Sequence, residues 1–381
     1  MYPSVYGIKV KKKSNFFSKL NNSINFNDTY DVVYEAISDS VFPGAQIFVS
    51  KGEEILINKG FGNLTYEKTS AEIDTKTIYD IASLTKVISA TPVVMKLIQK
   101  KRISLDYNIY QFYPEFKIGD KKQITIRHLL THTSGLPAYV EYYKDKKFKN
   151  RESILNDIVN MNLIYKPDEK VIYSDLGMIL LLDIIEKITG EKFDRLASRY
   201  FYSPLNMKNT FFNPDSFYMD NIAPSEIDNY FRNRVVKGEV HDENAYILGG
   251  VSTHAGLFST ANDLGLFSKM LIDDGVHLGK RYLSKSLIKK FTRRYGIPKT
   301  SDRTIGWDTP SRNGTSSAGD YFSYSSFGHL GFTGTSLWID PEKDIIVIVL
   351  TNRTYPLRNN SKKMYKFRRE FHNSLMKKIG S

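Results

Sequence analysis

The chain has 381 residues, of which 41% are apolar and 25% charged, so it is long enough to bury a sizeable core in one large or two closely packed domains. It contains no cysteine, which excludes disulfides, thiolate catalysis and thiolate metal ligands. The 54 lysines and arginines outnumber the 41 acidic residues and give a net charge of +13, but no recognised nucleic-acid module accompanies that charge, so we expect no nucleic-acid partner.

The first 27 residues are polar and rich in lysine and asparagine, which predicts a loose N-terminal arm. They contain no apolar stretch of the about 7–15 residues that a signal peptide requires. We therefore expect a cytoplasmic protein, or a processed or truncated form of one exported to the envelope. Basic residues cluster at positions 9–13 and 362–369, where they predict solvated faces that attract an anionic envelope weakly at most. No segment is long and apolar enough to span a bilayer.

Regular elements begin after this arm. Residues 28–40 carry one apolar stripe, which predicts a helix with Asp28 as its N-cap. Residues 46–50 and 55–60 predict two strands joined by a short glycine-containing turn. Residues 84–100 predict a helix that Pro92 kinks or interrupts.

Beyond residue 100 the pattern is mainly helical up to about residue 295, and strand character then returns. Gly190 and Gly275 lie where helix C-caps are predicted. The clearest elements are helices at 176–189, 264–274 and 361–378 and strands at 336–339 and 345–351.

Strands near both chain ends with helices between them predict an α+β fold. We expect one antiparallel sheet flanked by helices, built from both chain ends, with an inserted all-α region. The predicted domains are a polar arm at 1–27, a sheet region at 28–81 plus 300–381, and a mainly helical region at 82–299, with the active site where the last two meet.

A serine and a lysine three residues apart, Ser83 and Lys86, are predicted on one face at the start of a helix. A serine hydroxyl becomes a good nucleophile only when a neighbour takes its proton. Apolar neighbours such as Leu84 and Val87 favour burial of Lys86, and burial lowers the pKa of a lysine. The spacing alone is weak evidence, because Ser-x-x-Lys also occurs at Ser286 and Ser374.

Two later motifs distinguish the Ser-x-x-Lys match at Ser83 from the other two. Tyr173-Ser174-Asp175 and then His329-Leu330-Gly331 follow it in the order typical of penicillin-recognising serine hydrolases. Flanking segments agree with this order: Pro43-Gly44-Ala45, HLLTHTSGLP at 128–137, GGVSTHAGLFST at 249–260 and GFTGTSLWIDP at 331–341. Together they resemble the class C β-lactamase-related branch, which includes D-peptidases and serine esterases, from about residue 42 to residue 352.

The resemblance implies a β-lactamase/transpeptidase-like fold and assigns roles to matching residues. Ser83 is the expected nucleophile, Lys86 holds its hydroxyl and shuttles the proton, and Tyr173 is the general base and later the acid. A nearby Lys86 cation would stabilise a Tyr173 phenolate. The oxyanion would be bound by the backbone N–H groups of Ser83 and of Phe332, which follows Gly331; each donor contributes about 3–4 kcal/mol in related hydrolases.

Two departures from the family pattern bear on substrate. Asp175 stands where an asparagine is common; a carboxylate only accepts hydrogen bonds and is expected to pair with Lys86. Leu330 stands where a threonine hydroxyl commonly helps to bind a substrate carboxylate, and His329 replaces the lysine of the third motif and is expected near Tyr173. Both departures remove polar contacts that a β-lactam would use, so we expect feeble β-lactamase activity.

Other readings of the histidines and of the serine are weaker. His128 and His132 are four residues apart, but no glutamate lies between them, so no metal site is expected. His254 is expected to be structural. No G-x-S-x-G motif is present, which argues against an α/β-hydrolase.

The sequence therefore predicts a cofactor-independent serine hydrolase that cleaves a small-molecule or peptide ester or amide through an acyl-serine, with esterase activity foremost. The alternatives are a D-amino-acid peptidase or amidase, a weak β-lactamase, an acyltransferase that passes the acyl group to an alcohol or amine, and a non-catalytic penicillin-binding-like sensor.

Overall fold

The computed structural model describes residue 17 and residues 19–21, 23–311 and 316–380. Most of the predicted N-terminal arm, including the basic cluster at 9–13, lies outside these residues. No helix in the described part of the chain is both long and apolar enough to cross a membrane.

The described helices and strands occur in mixed order along the chain, with short 3₁₀ or π segments between several of them. The α-helices are α1 Asn27–Ser38, α2 Thr91–Gln99, α3 Ile126–Thr131, α4 Arg151–Asn160, α5 Asp175–Thr189, α6 Phe193–Ala197, α7 Glu243–Ile247, α8 Ala261–Ile272, α9 Lys285–Thr292 and α10 Ser361–Ile379. The strands are β1 Lys19–Leu20, β2 Gly44–Lys51, β3 Glu54–Gly62, β4 Tyr79–Asp80, β5 Phe211–Phe212, β6 Glu226–Asp228, β7 Arg234–Val236, β8 Leu257–Ser259, β9 Val276–His277, β10 Lys280–Arg281, β11 Phe327–Leu330, β12 Ser336–Asp340 and β13 Ile345–Thr351.

A six-stranded sheet combines strands from both ends of the chain, in the order β1-β3-β2-β13-β12-β11. All neighbours in this sheet are antiparallel except the short edge strand β1, which runs parallel to β3. The central pair joins β2 to β13 over seven residue pairs, from Ala45–Thr351 to Lys51–Ile345. The prediction of an α+β fold whose sheet is built from both chain ends is therefore confirmed, and the domain boundaries stay a prediction.

The sequence IIVIVLT of β13 has side chains buried on both faces of the sheet. Successive side chains of a strand point to opposite faces. Val347 and Val349 accordingly pack with α1 and α10, whereas Ile346 and Ile348 join the larger core beneath the inserted helices. An unbroken apolar run is what a strand covered on both sides requires.

The helix predicted at 84–100 is divided. Lys86–Ala90 form one π-turn, in which the Thr91 N–H donates to the Lys86 carbonyl, and α2 follows. Pro92 lies in the first turn of α2, where a backbone N–H has no helical partner, so it starts α2 instead of kinking it.

Two predicted caps are wrong. Phe26 is the N-cap residue of α1, and Asp28 lies in the first turn, where its carboxylate pairs with Lys378 at 2.8 Å. Asp273 is the C-cap residue of α8, so Gly275 lies beyond the cap. Gly190 is the left-handed C-cap of α5, as predicted, with φ +70°.

The basic cluster at 362–369 lies on α10 and is only partly solvated. The Arg368 side chain is buried, and Arg369 forms a bidentate pair with Asp320. These two cations contribute less to a surface field than the sequence pattern suggested.

Candidate functional site

Ser83 lies in a tight turn directly after β4. Ala82 has φ +47°, a left-handed conformation that is strained for a residue with a side chain. The Asp80 carboxylate holds this turn, because Oδ1 accepts from the Ala82 N–H at 2.8 Å and Oδ2 accepts from the His241 N–H at 2.6 Å. The Thr85 hydroxyl donates to the Ala82 carbonyl at 2.6 Å. The backbone at Ser83 is thus fixed from both sides.

The Lys86 ammonium is fully buried, and its three N–H groups face three acceptors. Lys86 Nζ lies 3.1 Å from Ser83 Oγ, 2.9 Å from the His254 carbonyl and 2.8 Å from Asp175 Oδ1. The predicted pairing of Asp175 with Lys86 is therefore present.

The charge state of Lys86 differs from the expectation. Burial lowers the pKa of Lys86, but the adjacent Asp175 carboxylate and Tyr173 raise it, and the net direction is upward. The prediction that burial lowers this pKa is wrong in its net sign, because an ion pair at 2.8 Å outweighs the loss of solvation. Lys86 is an ammonium at neutral pH and donates to Ser83 instead of taking its proton.

The second motif lies at the N-terminus of α5. Ser174 is the N-cap residue, its hydroxyl accepting from the Gly177 N–H at 3.3 Å and donating to the Pro137 carbonyl at 2.6 Å. Its backbone N–H donates to His132 Nδ1 at 3.1 Å. This cap brings the residues on either side of Ser174, Tyr173 and Asp175, to Lys86.

Tyr173 is enclosed by rings and cations. Its ring centroid is 4.5 Å from that of His132 and 5.8 Å from that of His329, and Lys86 Nζ is 4.6 Å above the ring. Its hydroxyl is buried, and no described group completes a well-formed hydrogen bond with it. This hydroxyl is consequently open to an incoming substrate.

Burial raises the pKa of Tyr173, and the opposing effect of Lys86 is smaller than that of burial. Lys86 lowers the pKa of Tyr173 as expected, but burial, with the Asp175 carboxylate, outweighs this effect, so the substrate-free site holds no phenolate. Tyr173 is a neutral phenol at neutral pH.

His329 is also buried, and its pKa is lowered well below the usual value by burial and by the cations Arg303 and Lys86. Its Nδ1 lies 2.8 Å from the Leu330 carbonyl and its Nε2 lies 3.3 Å from Arg303 Nη2. The third motif therefore presents a neutral imidazole to Tyr173.

The turn after His329 approaches Ser83 closely. A Cβ at Gly331 would lie 2.6 Å from the Ile81 carbonyl and 2.0 Å from Thr335 Oγ1, so only glycine fits. Arg368 of α10 reaches through the core and donates to the carbonyls of Gly331 at 3.0 Å and Thr335 at 2.8 Å. Glycine and buried arginine together fix the turn that carries Phe332.

Two backbone N–H groups at this junction have no acceptor among the described residues, those of Ser83 and Phe332. They belong to the two turns that Gly331 brings together. Such a pair of unpaired donors beside a nucleophile matches an oxyanion hole.

A cavity of about 350 Å³ opens over Ser83. The cavity is lined by Ala82, Ser83, Ala138, Tyr139, Glu141, Tyr143, Tyr173, Asp175, His241, Asp242, Glu243, His254, Ala255, Phe332 and Arg358. Phe332 is 49% exposed and forms an apolar wall.

The charges that line this cavity are paired with each other. His254 Nε2 lies 2.9 Å from Asp242 Oδ1, and His241 Nε2 lies 3.0 Å from Glu226 Oε2. Arg358 lies in the cavity wall and donates to Glu226 at 2.7 Å and to Glu243 at 2.8 Å. The substrate region is therefore nearly neutral.

The sequence comparison agrees with this geometry. The sequence model of the Beta-lactamase family matches residues 31–367, most of the chain. The chain belongs to the Beta-lactamase family. It is a serine hydrolase of this β-lactamase/transpeptidase-like family, as the motif order predicted.

Proteins with several different names are similar to this chain. A Salmonella agona (strain SL483) protein named "Putative D-alanyl-D-alanine carboxypeptidase" is 31% identical over 356 residues, 84% of this chain and 81% of that protein. An N-acetylmuramyl-L-alanine amidase of Bacillus subtilis (strain 168) is 30% identical over 350 residues, 82% and 78% of the two chains. An octameric penicillin-binding protein homologue from Pyrococcus abyssi has a TM-score of 0.70 at 25% identity, covering 90% of this chain and 76% of that one.

The sequence reasoning missed several residues around this Beta-lactamase-family site. The sequence offers His132 only as a rejected metal ligand, although it packs on Tyr173 and belongs to the quoted run at 128–137. His254 was assigned as structural, and its carbonyl holds Lys86. Asp80, Arg303 and Arg368 lie in no recognised motif, and their roles follow only from three-dimensional contacts.

His128 has a structural environment. Its Nδ1 lies 2.8 Å from Thr125 Oγ1 at the start of α3, and its Nε2 lies 3.1 Å from Asp168 Oδ2. Among the described residues, no group of three His, Asp or Glu side chains has the geometry to hold a metal ion.

We expect Gly331→Ala to lower kcat/KM for an ester by at least about 100-fold, because the new Cβ pushes the Phe332 N–H away from the oxyanion position. The measurement is steady-state hydrolysis together with the thermal unfolding midpoint. Gly119→Ala is the control, since its Cβ would meet no atom within 4 Å and its left-handed φ of +52° adds backbone strain only outside the cavity wall. Unchanged kcat/KM in the folded Gly331→Ala protein would show that the close approach is unimportant.

Proposed function

We propose that this protein is an acyl-serine hydrolase that cleaves uncharged esters, and amides of similar shape, with Ser83, Lys86 and Tyr173 as its catalytic residues. The observation that carries the proposal is one arrangement. The Lys86 ammonium donates to Ser83 Oγ, the Tyr173 hydroxyl interacts with both Lys86 and Ser83, and two unpaired backbone N–H groups lie at the same cavity.

The neutral state of Tyr173 suggests how acylation proceeds. Ser83 Oγ attacks the carbonyl carbon and releases its proton to Tyr173 Oη, while Tyr173 gives its own proton to the leaving-group oxygen or nitrogen. The carbonyl oxygen becomes an oxyanion held by the N–H groups of Ser83 and Phe332, and collapse of the intermediate expels the leaving group. No phenolate has to form, and Lys86 keeps its proton and stabilises the charge that develops on Ser83 Oγ.

Deacylation runs the same relay with water. A water oxygen attacks the acyl carbon, its proton passes to Tyr173 Oη, and Tyr173 returns its proton to Ser83 Oγ as the acyl–oxygen bond breaks. An alcohol or amine in place of water gives the acyltransferase reaction through the same steps. The acceptor that reaches the acyl-enzyme decides between hydrolysis and transfer.

The paired charges of the cavity favour a substrate without a free carboxylate. A carboxylate needs an uncommitted cation or several N–H donors to replace its hydration. Lys86, His241 and Arg358 are each held by an acidic partner. The neutral His329 and the apolar Leu330 add no charge to the third motif. Feeble turnover of penicillins and cephalosporins follows, because these substrates carry a carboxylate.

A second candidate is a D-peptidase or amidase, which the names of the two relatives favour. The site chemistry is the same for an amide, because Tyr173 protonates a leaving amine as readily as it protonates an alkoxide. A peptide ending in a carboxylate would need Arg358 to leave Glu226 and Glu243, whereas an amide within a longer chain would not. Substrate charge therefore separates the two candidates.

The central prediction concerns Ser83→Ala, which we expect to lower hydrolysis of p-nitrophenyl butyrate by at least about 1,000-fold. Ser286→Ala is the matched control, because Ser286 begins another Ser-x-x-Lys match on α9 and is exposed. Intact-mass spectrometry should show an acyl adduct on the wild type and none on Ser83→Ala. Equal rates for Ser83→Ala and the wild type, or an adduct on the Ser83→Ala protein, would refute the proposal.

The role of Tyr173 predicts a pH profile. Because burial raises the pKa of this phenol, its protonated form persists above neutral pH. The kcat/KM of ester hydrolysis should therefore stay level into the alkaline range and fall only above about pH 10. Tyr173→Phe should lower kcat by about 100-fold or more. A rate that climbs through neutral pH with Tyr173 ionisation would indicate a phenolate base instead.

The Arg358 contacts predict a substrate preference that depends on pH. Burial raises the pKa of Glu243 to about 7, so this carboxyl is charged above that pH and competes for Arg358, and neutral below it. The rate for an ester carrying a distal carboxylate, relative to its neutral methyl ester, should rise as the pH falls through 7.

Glu243→Gln should raise the same ratio about 3- to 10-fold above pH 7 and remove its pH dependence, a modest change because Arg358 is part-exposed. Glu239→Gln is the control, since Glu239 pairs with Arg234 outside the cavity wall. A ratio that is identical in wild type and Glu243→Gln at every pH would contradict the charge argument.

A further inference from the structure

Arg303 is a charged residue next to the site that none of the sequence motifs includes. The backbone of Arg303 forms an antiparallel β-bridge with Asp308, and Asp308 forms another with Gly328 of β11. The segment that carries Arg303 therefore lies beside the third motif. The side chain is 12% exposed. Its Nη1 donates to Asp308 Oδ1 at 2.7 Å, and its Nη2 lies 3.3 Å from His329 Nε2.

This contact determines the tautomer of His329. A guanidinium only donates hydrogen bonds, so Nε2 of His329 has to be the unprotonated acceptor. The proton then lies on Nδ1, which donates to the Leu330 carbonyl at 2.8 Å. Both ring nitrogens are satisfied in one orientation, and a second proton on Nε2 would point directly at a cation.

Arg303 also lies against Tyr173. The guanidinium carbon is 5.4 Å from the centroid of the Tyr173 ring. The His132 and His329 rings contact the same tyrosine, and Arg303 lowers the pKa of both, after burial itself. Arg303 therefore adds to burial in keeping both imidazoles uncharged beside one phenol.

Other charges facing this cluster act alongside Arg303. Lys86 also lowers the pKa of both histidines, and Arg368 lowers that of His329. Asp175 is paired with Lys86, and Asp308 is paired with Arg303. Arg303 is distinguished from Lys86 and Arg368 by direct contact with His329 Nε2.

We propose that Arg303 is a positioning residue for Tyr173: it holds His329 in the neutral Nδ1–H form and so fixes the ring packing that aims the Tyr173 hydroxyl at Ser83. Arg303 is not part of the cavity wall and touches no substrate. The proposal rests on the proposed function for its catalytic consequence, whereas the state of His329 can be measured without any substrate.

Without the guanidinium, the donor to Nε2 is lost and His329 can accept a second proton nearer the ordinary pH of imidazole titration, about 6.5. A charged ring has two donors and a strong demand for hydration, so it does not keep the same buried orientation. Tyr173 then loses one of its packing partners in acid solution and regains it in alkaline solution.

The test uses four variants of the full chain. Arg303→Met removes the cation, Arg303→Lys restores charge without the planar two-point contact, and Asp308→Asn leaves Arg303 without its carboxylate. Arg151→Met is the matched control, because Arg151 also pairs with carboxylates, those of Asp183 and Glu186 in the C-terminal half of α5, and none of these three residues lines the cavity. Thermal unfolding confirms that each variant is folded.

The substrate-free readout is the nitrogen spectrum of ¹⁵N-histidine-labelled protein, with the His329 signals assigned from their absence in His329→Asn. In the wild type, Asp308→Asn and Arg151→Met, His329 should show the Nδ1–H tautomer and a pKa well below that of a free imidazole. In Arg303→Met the pKa of His329 should rise towards the free-imidazole value without reaching it, because burial, Lys86 and Arg368 still oppose the charged ring. Arg303→Lys should lie between these two behaviours.

The kinetic readout is kcat and KM for a neutral ester. Arg303→Met should lower kcat about tenfold at pH 6, less than threefold at pH 8, and leave KM unchanged, since Arg303 does not line the cavity. His329 remaining neutral in Arg303→Met, or the same tautomer and pH profile in all variants, would overturn the proposal.

The two readouts also separate this proposal from the proposed function. If Ser83→Ala fails to abolish hydrolysis, the catalytic assignment falls while the His329 tautomer result stands. If the tautomer changes in Arg303→Met without any change in kcat, the positioning role is refuted although the proposed function is untouched.

Discussion

The buried ion pair between Lys86 and Asp175 governs the chemistry of the site. Two charges taken out of water are tolerated only when each is fully paired, and removal of one partner typically costs about 3–5 kcal/mol. With its three N–H groups committed to Ser83, Asp175 and the His254 carbonyl, the ammonium has one orientation. Burial raises the pKa of Tyr173 by more than Lys86 lowers it, and Asp175 adds to the rise, so the phenol keeps its proton. The mechanism that we propose for acylation is therefore a proton relay through the neutral Tyr173 phenol and does not require a preformed phenolate.

Much of this site is predictable from sequence because the family motifs occur in order. Ser83, Lys86 and Tyr173 converge, and the pairing of Asp175 follows from replacing an amide with a carboxylate. The protonation states do not follow, since the sign of each pKa shift depends on a balance between burial and a neighbour a few ångströms away. Burial alone suggests a neutral lysine, and a distance of 2.8 Å to Asp175 reverses that.

The fold, like the site, is predictable from the sequence only in part. The apolar run of β13 predicts a strand covered on both faces, and helices between two groups of strands predict the α+β class. Local chemistry misleads where tertiary contacts decide: Asp28 has the residue type of an N-cap, but it lies two positions after the N-cap residue Phe26 and pairs with Lys378. Pro92 predicts a kink or interruption, but it lies in the first turn of α2, where a backbone N–H would have no hydrogen-bond partner within the helix. Arg303 carries no local signal at all.

The close approach of the Gly331 turn to the Ser83 turn has a consequence for biosynthesis. The Thr333 hydroxyl bonds to the Asp80 carbonyl across 253 residues of chain, and Arg368, near the C-terminus, holds the Gly331 turn from behind. Closing so long a loop is slow relative to forming local helices. The Phe332 N–H of the proposed oxyanion hole therefore reaches Ser83 only once the Gly331 turn and α10 have docked. We expect a chain that has been synthesised only as far as Ser83 and Lys86 to lack a complete site.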